Sequence, residues 1–285
     1  MAYLSRALGA LTLAIAAITP ATIAAQSSPA PYTAAMRYDG AGRVVGTIAP
    51  DPDGSGPLEH LATRTTYDAR QLPVKVESGQ LIQWQDDTVA PEDWGSDFTV
   101  HTSVQTFYDT NRRKVKETTR GYNAGVPAAF ISVIQYSYDA RGRLECTAVR
   151  MNQAVFNNLP ASACTLGAPG PNGHDRITKT VYDAAGQVLQ VRMAVGTPLE
   201  KADVTYTYTQ NGQIEQVIDA NGNRAELKYD DFDRQTKWTF PSKARVSGFD
   251  ASALPMAAVT AAGALSTDDP DPNQHDFEEY TYDDN

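Results

Sequence analysis

Four histidines, His60, His101, His174 and His275, are the first places to look for general-base or metal chemistry, and they are scattered along the chain. None belongs to a His-Glu-x-x-His helix, and no serine or cysteine sits in a nucleophile elbow. No glycine-rich loop follows a strand in the way that cradles a phosphate. Two carboxylates far apart in sequence could still meet for glycoside chemistry. Most aspartates, however, lie in turn sequences that already account for them. Asp51-Pro-Asp-Gly-Ser-Gly56 begins like a calcium loop, but the twelfth position, where a bidentate acid belongs, is Ala62, so it reads as a plain turn. Trp84 and Trp94 stand among Asp86, Asp87, Glu92 and Asp93. They offer either a stacking platform for carbohydrate or the filling of an insertion's own small core. The expectation is no catalytic residue, no metal and no cofactor.

Two cysteines remain, Cys146 and Cys164. Their chemistry depends on compartment, and the N-terminus supplies one. Arg6 precedes the uncharged run Leu8–Ile18, then Thr19-Pro20 and the small residues Thr22-Ile-Ala24-Ala25. That order reads as a signal peptide over 1–25, cleaved after Ala24 or Ala25, with a flexible tether over 26–36. The apolar run is too short to span a bilayer comfortably. In an exported chain the two cysteines are expected to pair, closing Thr147–Ala163 with about 3 kcal/mol of chain-entropy stabilisation. Two free thiols or half of a metal site are the alternatives, and no histidine lies at ligand spacing.

The rest of the chain has to position whatever these groups do. Tyr (14) outnumbers Phe (8) and Trp (3), and 20 Gly with 17 Pro break up the Thr- and Val-rich runs. That balance favours strands and turns. The net charge of −10 argues against nucleic acid as a partner. The one basic cluster, Arg112-Arg113-Lys114-Val-Lys116, reads as a solvated strand after a turn. No second membrane-spanning run appears. From Asp250 to Leu265 an Ala-rich run suggests a short helix, before an acidic linker over Asp268 to Glu279.

One phrase recurs, and it decides the architecture. It reads Tyr38-Asp39-Gly-Ala-Gly42-Arg43-Val44, then Tyr67-Asp68-Ala-Arg-Gln71-Leu72, then Tyr108-Asp109-Thr-Asn-Arg-Arg113-Lys-Val115. It returns as Tyr138-Asp139-Ala-Arg-Gly142-Arg143-Leu144 and Tyr182-Asp183-Ala-Ala-Gly186-Gln187-Val188. Tyr208-Thr209-Gln-Asn-Gly212-Gln213-Ile214 is a variant, followed by Tyr229-Asp230-Asp-Phe-Asp233-Arg234 and a last start at Tyr282-Asp283. A related turn centres on Gly222. The aspartate can accept backbone N–H bonds from the residues ahead, and the glycine supplies positive φ where the turn closes. Tyr and the later Leu, Val or Ile are expected on the packed side of the strands, with Arg in reach of an Asp. A recurring Asp–Arg pair is therefore read as architecture.

This phrase resembles the YD repeat of RHS (rearrangement hotspot) proteins, wall-associated repeat proteins and the shell components of toxin complexes. The resemblance covers 38–285 with insertions at 46–62, 79–100, 146–175 and 240–279, and Tyr206–Arg234 matches best. It implies all-β tandem hairpins joined into a strip of antiparallel sheet, which in that family spirals into a shell around a C-terminal toxin domain. The family's self-cleaving core segment has no match here, and Asp269-Pro-Asp-Pro272 lacks its context. The last phrase has no Gly or Arg after it, so the chain is expected to be a truncated product or the N-terminal portion of a longer one, carrying no toxin itself. The expected function is that of an exported structural shell segment, with downstream repeats and a toxin domain as partners. The alternative is a cell-surface module whose decorated loops bind carbohydrate, through Trp84 and Trp94, or engage a neighbouring cell.

Overall fold

The computed structural model describes residues 33–54, 56–243, 246–265 and 277–282. The signal peptide, most of the 26–36 tether, most of the acidic linker and Asp283 lie outside these residues. The first three strands are β1 (Ala35–Tyr38), β2 (Val44–Ile48) and β3 (His60–Tyr67). They are followed by β4 (Pro73–Leu81), β5 (Phe98–Tyr108), β6 (Lys114–Asn123), β7 (Val126–Tyr138) and β8 (Leu144–Arg150). Next come β9 (Arg176–Tyr182), β10 (Val188–Met193), β11 (Lys201–Tyr208) and β12 (Ile214–Asp219). The last are β13 (Arg224–Tyr229), β14 (Gln235–Thr239) and β15 (Phe277–Glu279), and the α-helix among the described residues, α1 (Pro255–Ala261), lies between β14 and β15.

All fifteen strands form one sheet whose spatial order is the order of the sequence. Every pairing is antiparallel. The expected strip of hairpins is therefore present. Its layout follows from local turn chemistry, because a short turn can join only antiparallel neighbours.

An antiparallel meander has two margins, and this one keeps them distinct. Every Tyr-Asp turn joins an odd strand to the next even strand, so all seven lie on one margin. Every insertion joins an even strand to the next odd one, so all lie on the other. The structure narrows the insertions to 49–59, 82–97, 151–175 and 240–276, because their outer residues carry on the strands. Ala35 and Met36, read as tether, likewise begin β1. The Gly222 turn belongs to the insertion margin. It has the same hydrogen-bond pattern as the Tyr-Asp turns, with Asp219 Oδ1 accepting from the amides of Asn221 (2.7 Å) and Asn223 (3.0 Å).

The two faces also differ. Register places Ile48, Ala62, Leu81 and Val100 on one face, and this face continues through Val133, Ala148, Ile177 and Ile218. The insertions fold down on it. Segment 82–97 brings Trp94 onto Ile48, Ala62, Leu81, Phe98 and Val100. Segment 151–175 brings Ala163 onto Cys146, Ala148 and Ile177. The approach is close: a Cβ on Gly46 of β2 would meet Trp94 at 3.0 Å. Apolar burial is thus concentrated where a loop supplies the second layer that a lone sheet lacks.

Candidate functional site

The repeated turns are the most ordered chemical feature of the chain. In the turn after β7, the Gly142 amide donates to the Asp139 carbonyl (2.9 Å) and the Asp139 amide to the Arg143 carbonyl (2.9 Å). Gly142 has φ 83°. This is a type I turn closed by a left-handed residue, a three-residue hairpin loop. Asp139 Oδ1 accepts from the amides of Arg141 and Arg143, both at 2.9 Å, and Oδ2 pairs with Arg143 Nε at 2.7 Å. The same set recurs at Asp39, Asp109 and Asp230. Gln71, Arg112 and Asp233 hold the left-handed position without a glycine.

The electrostatics follow from this geometry. A side-chain bond from Arg43 holds the Asp39 carboxyl below its ordinary value, and the Arg113 amide does the same for Asp109. At Asp139 and Asp230 desolvation pushes upward, but the amides and guanidinia of Arg143 and Arg234 outweigh it and the carboxyls again sit low. These carboxylates are committed to holding turns.

Each hairpin is also tied to the next by its tyrosine. Tyr67 Oη donates to the Val44 carbonyl (3.0 Å), Tyr108 to Pro73 (3.1 Å), Tyr138 to Lys114 (2.8 Å) and Tyr182 to Leu144 (2.9 Å). Tyr208, Tyr229 and Tyr282 donate to Val188, Ile214 and Gln235, each at 2.8 Å. The acceptor is always the first residue of the preceding hairpin's return strand. Where the sixth residue of the phrase is arginine, its guanidinium lies over the next tyrosine: Arg43 over Tyr67, Arg113 over Tyr138, Arg143 over Tyr182 and Arg234 over Tyr282, at 4.3–4.6 Å. The tyrosines were expected on the packed side. They instead line the face opposite the one on which Trp94 and Ala163 pack, because the second layer of the described residues lies with Trp94 and Ala163. Tyr38, at the start of the ladder, is 59% exposed.

The insertion margin has a fastening of its own that sequence reasoning missed. A strand arginine under each larger insertion donates to the insertion's backbone carbonyls. Arg37 reaches Gln85 and Asp86, and Arg64 reaches Pro91. Arg150, buried, reaches Ser162 and Thr165 (2.9 Å each) while pairing with Asp175 at 2.7 Å. Arg192 reaches Ser252 (2.9 Å) and Ala253 (3.2 Å) while pairing with Glu200. The only sequence signal was an arginine at an inward-facing strand position.

The other candidates fall into place. Cys146 and Cys164 form a disulfide, which anchors segment 151–175 to β8 beside the Arg150 clasp. Asp51 Oδ1 accepts from the amides of Asp53 and Gly54, and Ala62 is buried in β3. Trp94, one half of the suggested sugar platform, is 2% exposed with its ring edge-on to Phe98, so it has no face for a sugar. Trp84 is half-buried against the same core and edge-on to His60. In the basic cluster, Arg113 serves Asp109, Lys114 pairs with Glu117 and Lys116 lies over Phe107. The short helix falls inside the Ala-rich run as α1. No helix among the described residues is long and apolar enough to cross a membrane.

No family model and no curated protein matches the chain. Among solved structures, a crystal structure of TcdB2-TccC3-Cdc42 is similar over 73% of this chain, at 12% identity and a TM-score of 0.32. The Photorhabdus luminescens Tc holotoxin pore is similar over 72%, at 16% identity and a TM-score of 0.23. This chain spans 12% and 14% of the length of those two chains. By its own geometry the chain is an all-β protein of repeated hairpins in a single open sheet.

Proposed function

We propose that the chain is an exported structural segment of an RHS-type β-shell, without catalysis of its own, in an assembly that encloses or delivers a toxin. The observation that carries this reading is the tyrosine ladder. Each hairpin leaves behind the carbonyl on which the next tyrosine settles, so the strip grows by repetition alone, as a wall must. The resemblance of the Tyr-Asp phrase to YD repeats supports it, and a disulfide fits an oxidising, extracellular setting. The partners in this reading are further repeats that continue the strip and a toxin domain beyond them. Export by the N-terminal segment places the product outside the cell or on its surface.

The test is an immunoblot of producing cells and their medium with an antibody against residues 206–234. The expected result is an exported product far above 30.8 kDa, with a toxin domain in the same polypeptide. A product at or below that mass, or one confined to the cytoplasm, would overturn the shell reading.

A further inference from the structure

The face that carries the tyrosines has one recess that the ladder does not use. Register places Thr178 of β9, Met193 of β10 and Lys201 of β11 side by side, on the same face as Tyr182. Arg176 lies two residues before Thr178 in β9, and so on that face too. The loop 194–200 between β10 and β11 borders this row. Together they enclose a hollow of about 530 Å³, lined also by Pro198 and Leu199. A recess of this size suits a small molecule.

The lining is almost wholly apolar, and its polar atoms are engaged. The Thr197 hydroxyl donates to the Ala194 carbonyl (2.8 Å) and accepts from the Leu199 amide (3.1 Å). Ala194 has φ 55°, a conformation that few residues other than glycine adopt. The loop is thus held by its own bonds in a shape that leaves Leu199 79% exposed beside Met193, itself 41% exposed. Apolar side chains kept out of the core around a recess mark a place for an apolar ligand.

Two cations flank the hollow. Arg176 and Lys201 are exposed, and neither pairs with a carboxylate among the described residues. The acids beside them are already taken. Asp175 is held by Arg150 (2.7 Å) and the Gly167 amide (3.0 Å), and Glu200 by Arg192 (2.9 Å) and the Gly196 amide (2.8 Å).

We propose that this hollow binds the alkyl tail of a free long-chain fatty carboxylate, with Arg176 and Lys201 holding its head group. Guanidinium binds carboxylate through two parallel bonds, which fixes orientation as well as charge. An alkyl tail asks for no hydrogen bonds, which matches a lining that has few to give. A peptide laid in the same hollow would bury amides without partners. An anionic membrane also offers tails and negative heads, but a protein carrying −10 is repelled from such a surface. The assignment is independent of the shell reading, since a wall segment and a stand-alone surface module would bind the carboxylate equally.

Calorimetric titration of the full chain with dodecanoate, below its micelle concentration, tests it. Dodecylammonium keeps the tail and reverses the charge, and hexanoate keeps the charge and shortens the tail. Phosphatidylglycerol vesicles and the peptide acetyl-Leu-Leu-Leu-Glu complete the set. Dodecanoate is expected to bind one to one, with hexanoate about a hundredfold weaker or more. Arg176→Gln should lower the dodecanoate affinity roughly tenfold, the effect of one charge-assisted pair. Leu199→Asp should abolish binding, and both variants should keep the parent melting temperature, because both positions are exposed. Absence of dodecanoate binding would overturn the proposal, as would equal binding of dodecylammonium or of hexanoate. Vesicle or peptide binding as tight as that of dodecanoate would overturn it in favour of a membrane or a peptide site. Dodecanoate binding unmoved by either variant would place the tail elsewhere and overturn it too.

Discussion

At Asp139 one carboxylate takes two backbone amides on Oδ1 and a guanidinium on Oδ2, and the same arrangement recurs along the margin at Asp39, Asp109 and Asp230. All four carboxyls are held below the ordinary value of 3.8. A carboxyl with a depressed folded-state pKa contributes stability that is complete above its unfolded value and is lost as pH falls through the folded one. The margin should therefore hold at neutral pH and loosen below about pH 4, where unfolded aspartates begin to take up protons. An acid titration followed by tyrosine fluorescence and amide exchange checks this, and Asp139→Asn should blunt the transition at its own turn. A transition centred near pH 6 would assign the acid response to histidine instead. The aspartate and glycine roles were legible in sequence, because each acts on residues two to four positions away. The tyrosine's partner was not, since the Lys114 carbonyl that accepts from Tyr138 lies on another hairpin and a carbonyl has no residue signature.

Insertions were visible in sequence as uneven spacing between phrases, and their common margin follows from strand parity alone. Their attachment was hidden. Arg150 looks like an ordinary strand cation until Gln135, Ser162, Thr165 and Asp175 converge on it, and no sequence period links those positions. Burial pushes the Asp175 carboxyl upward, yet the amides of Met151 and Gly167 and the Arg150 guanidinium outweigh it, so it stays charged. Asp175→Ala would strand a buried guanidinium and should cost about 3–5 kcal/mol in urea unfolding. Arg150→Met with Asp175→Leu should recover much of that loss, because the charge and its partner leave together. If the single substitution costs under about 1 kcal/mol, the pair is too well solvated to be the clasp inferred for this insertion. Trp94 carries the same lesson in reverse: its acidic neighbours suggested a surface, while its burial against Phe98 depends on β2 presenting Gly46 beneath it.

Across the whole strip the joints between hairpins are unequal, and the sixth position of the phrase sets the difference. Arginine at that position pairs with its own turn's aspartate and covers the next tyrosine, so it joins two hairpins at once. Leu72, Gln187 and Gln213 occupy the same position before Tyr108, Tyr208 and Tyr229, and these joints keep the tyrosine hydroxyl bond without a stacked cation. In a structure whose units touch only their neighbours, the weakest interface sets where the strip opens. The joint between β10 and β11 is the clearest case, since Asp183 already accepts from the Gly186 and Gln187 amides and has no arginine to pair with in its own turn. Gln187→Arg should place a guanidinium between Asp183 and Tyr208 and stabilise that joint by about 0.5–1 kcal/mol. It gives up the long bond from Gln187 to the Gly212 carbonyl at 3.2 Å. Hydrogen exchange should then slow in β10 and β11 and stay unchanged in β3 and β4, which lie several joints away. Uniform slowing across all strands would mean that the sheet opens as one unit, and the unequal joints would have no bearing on its stability.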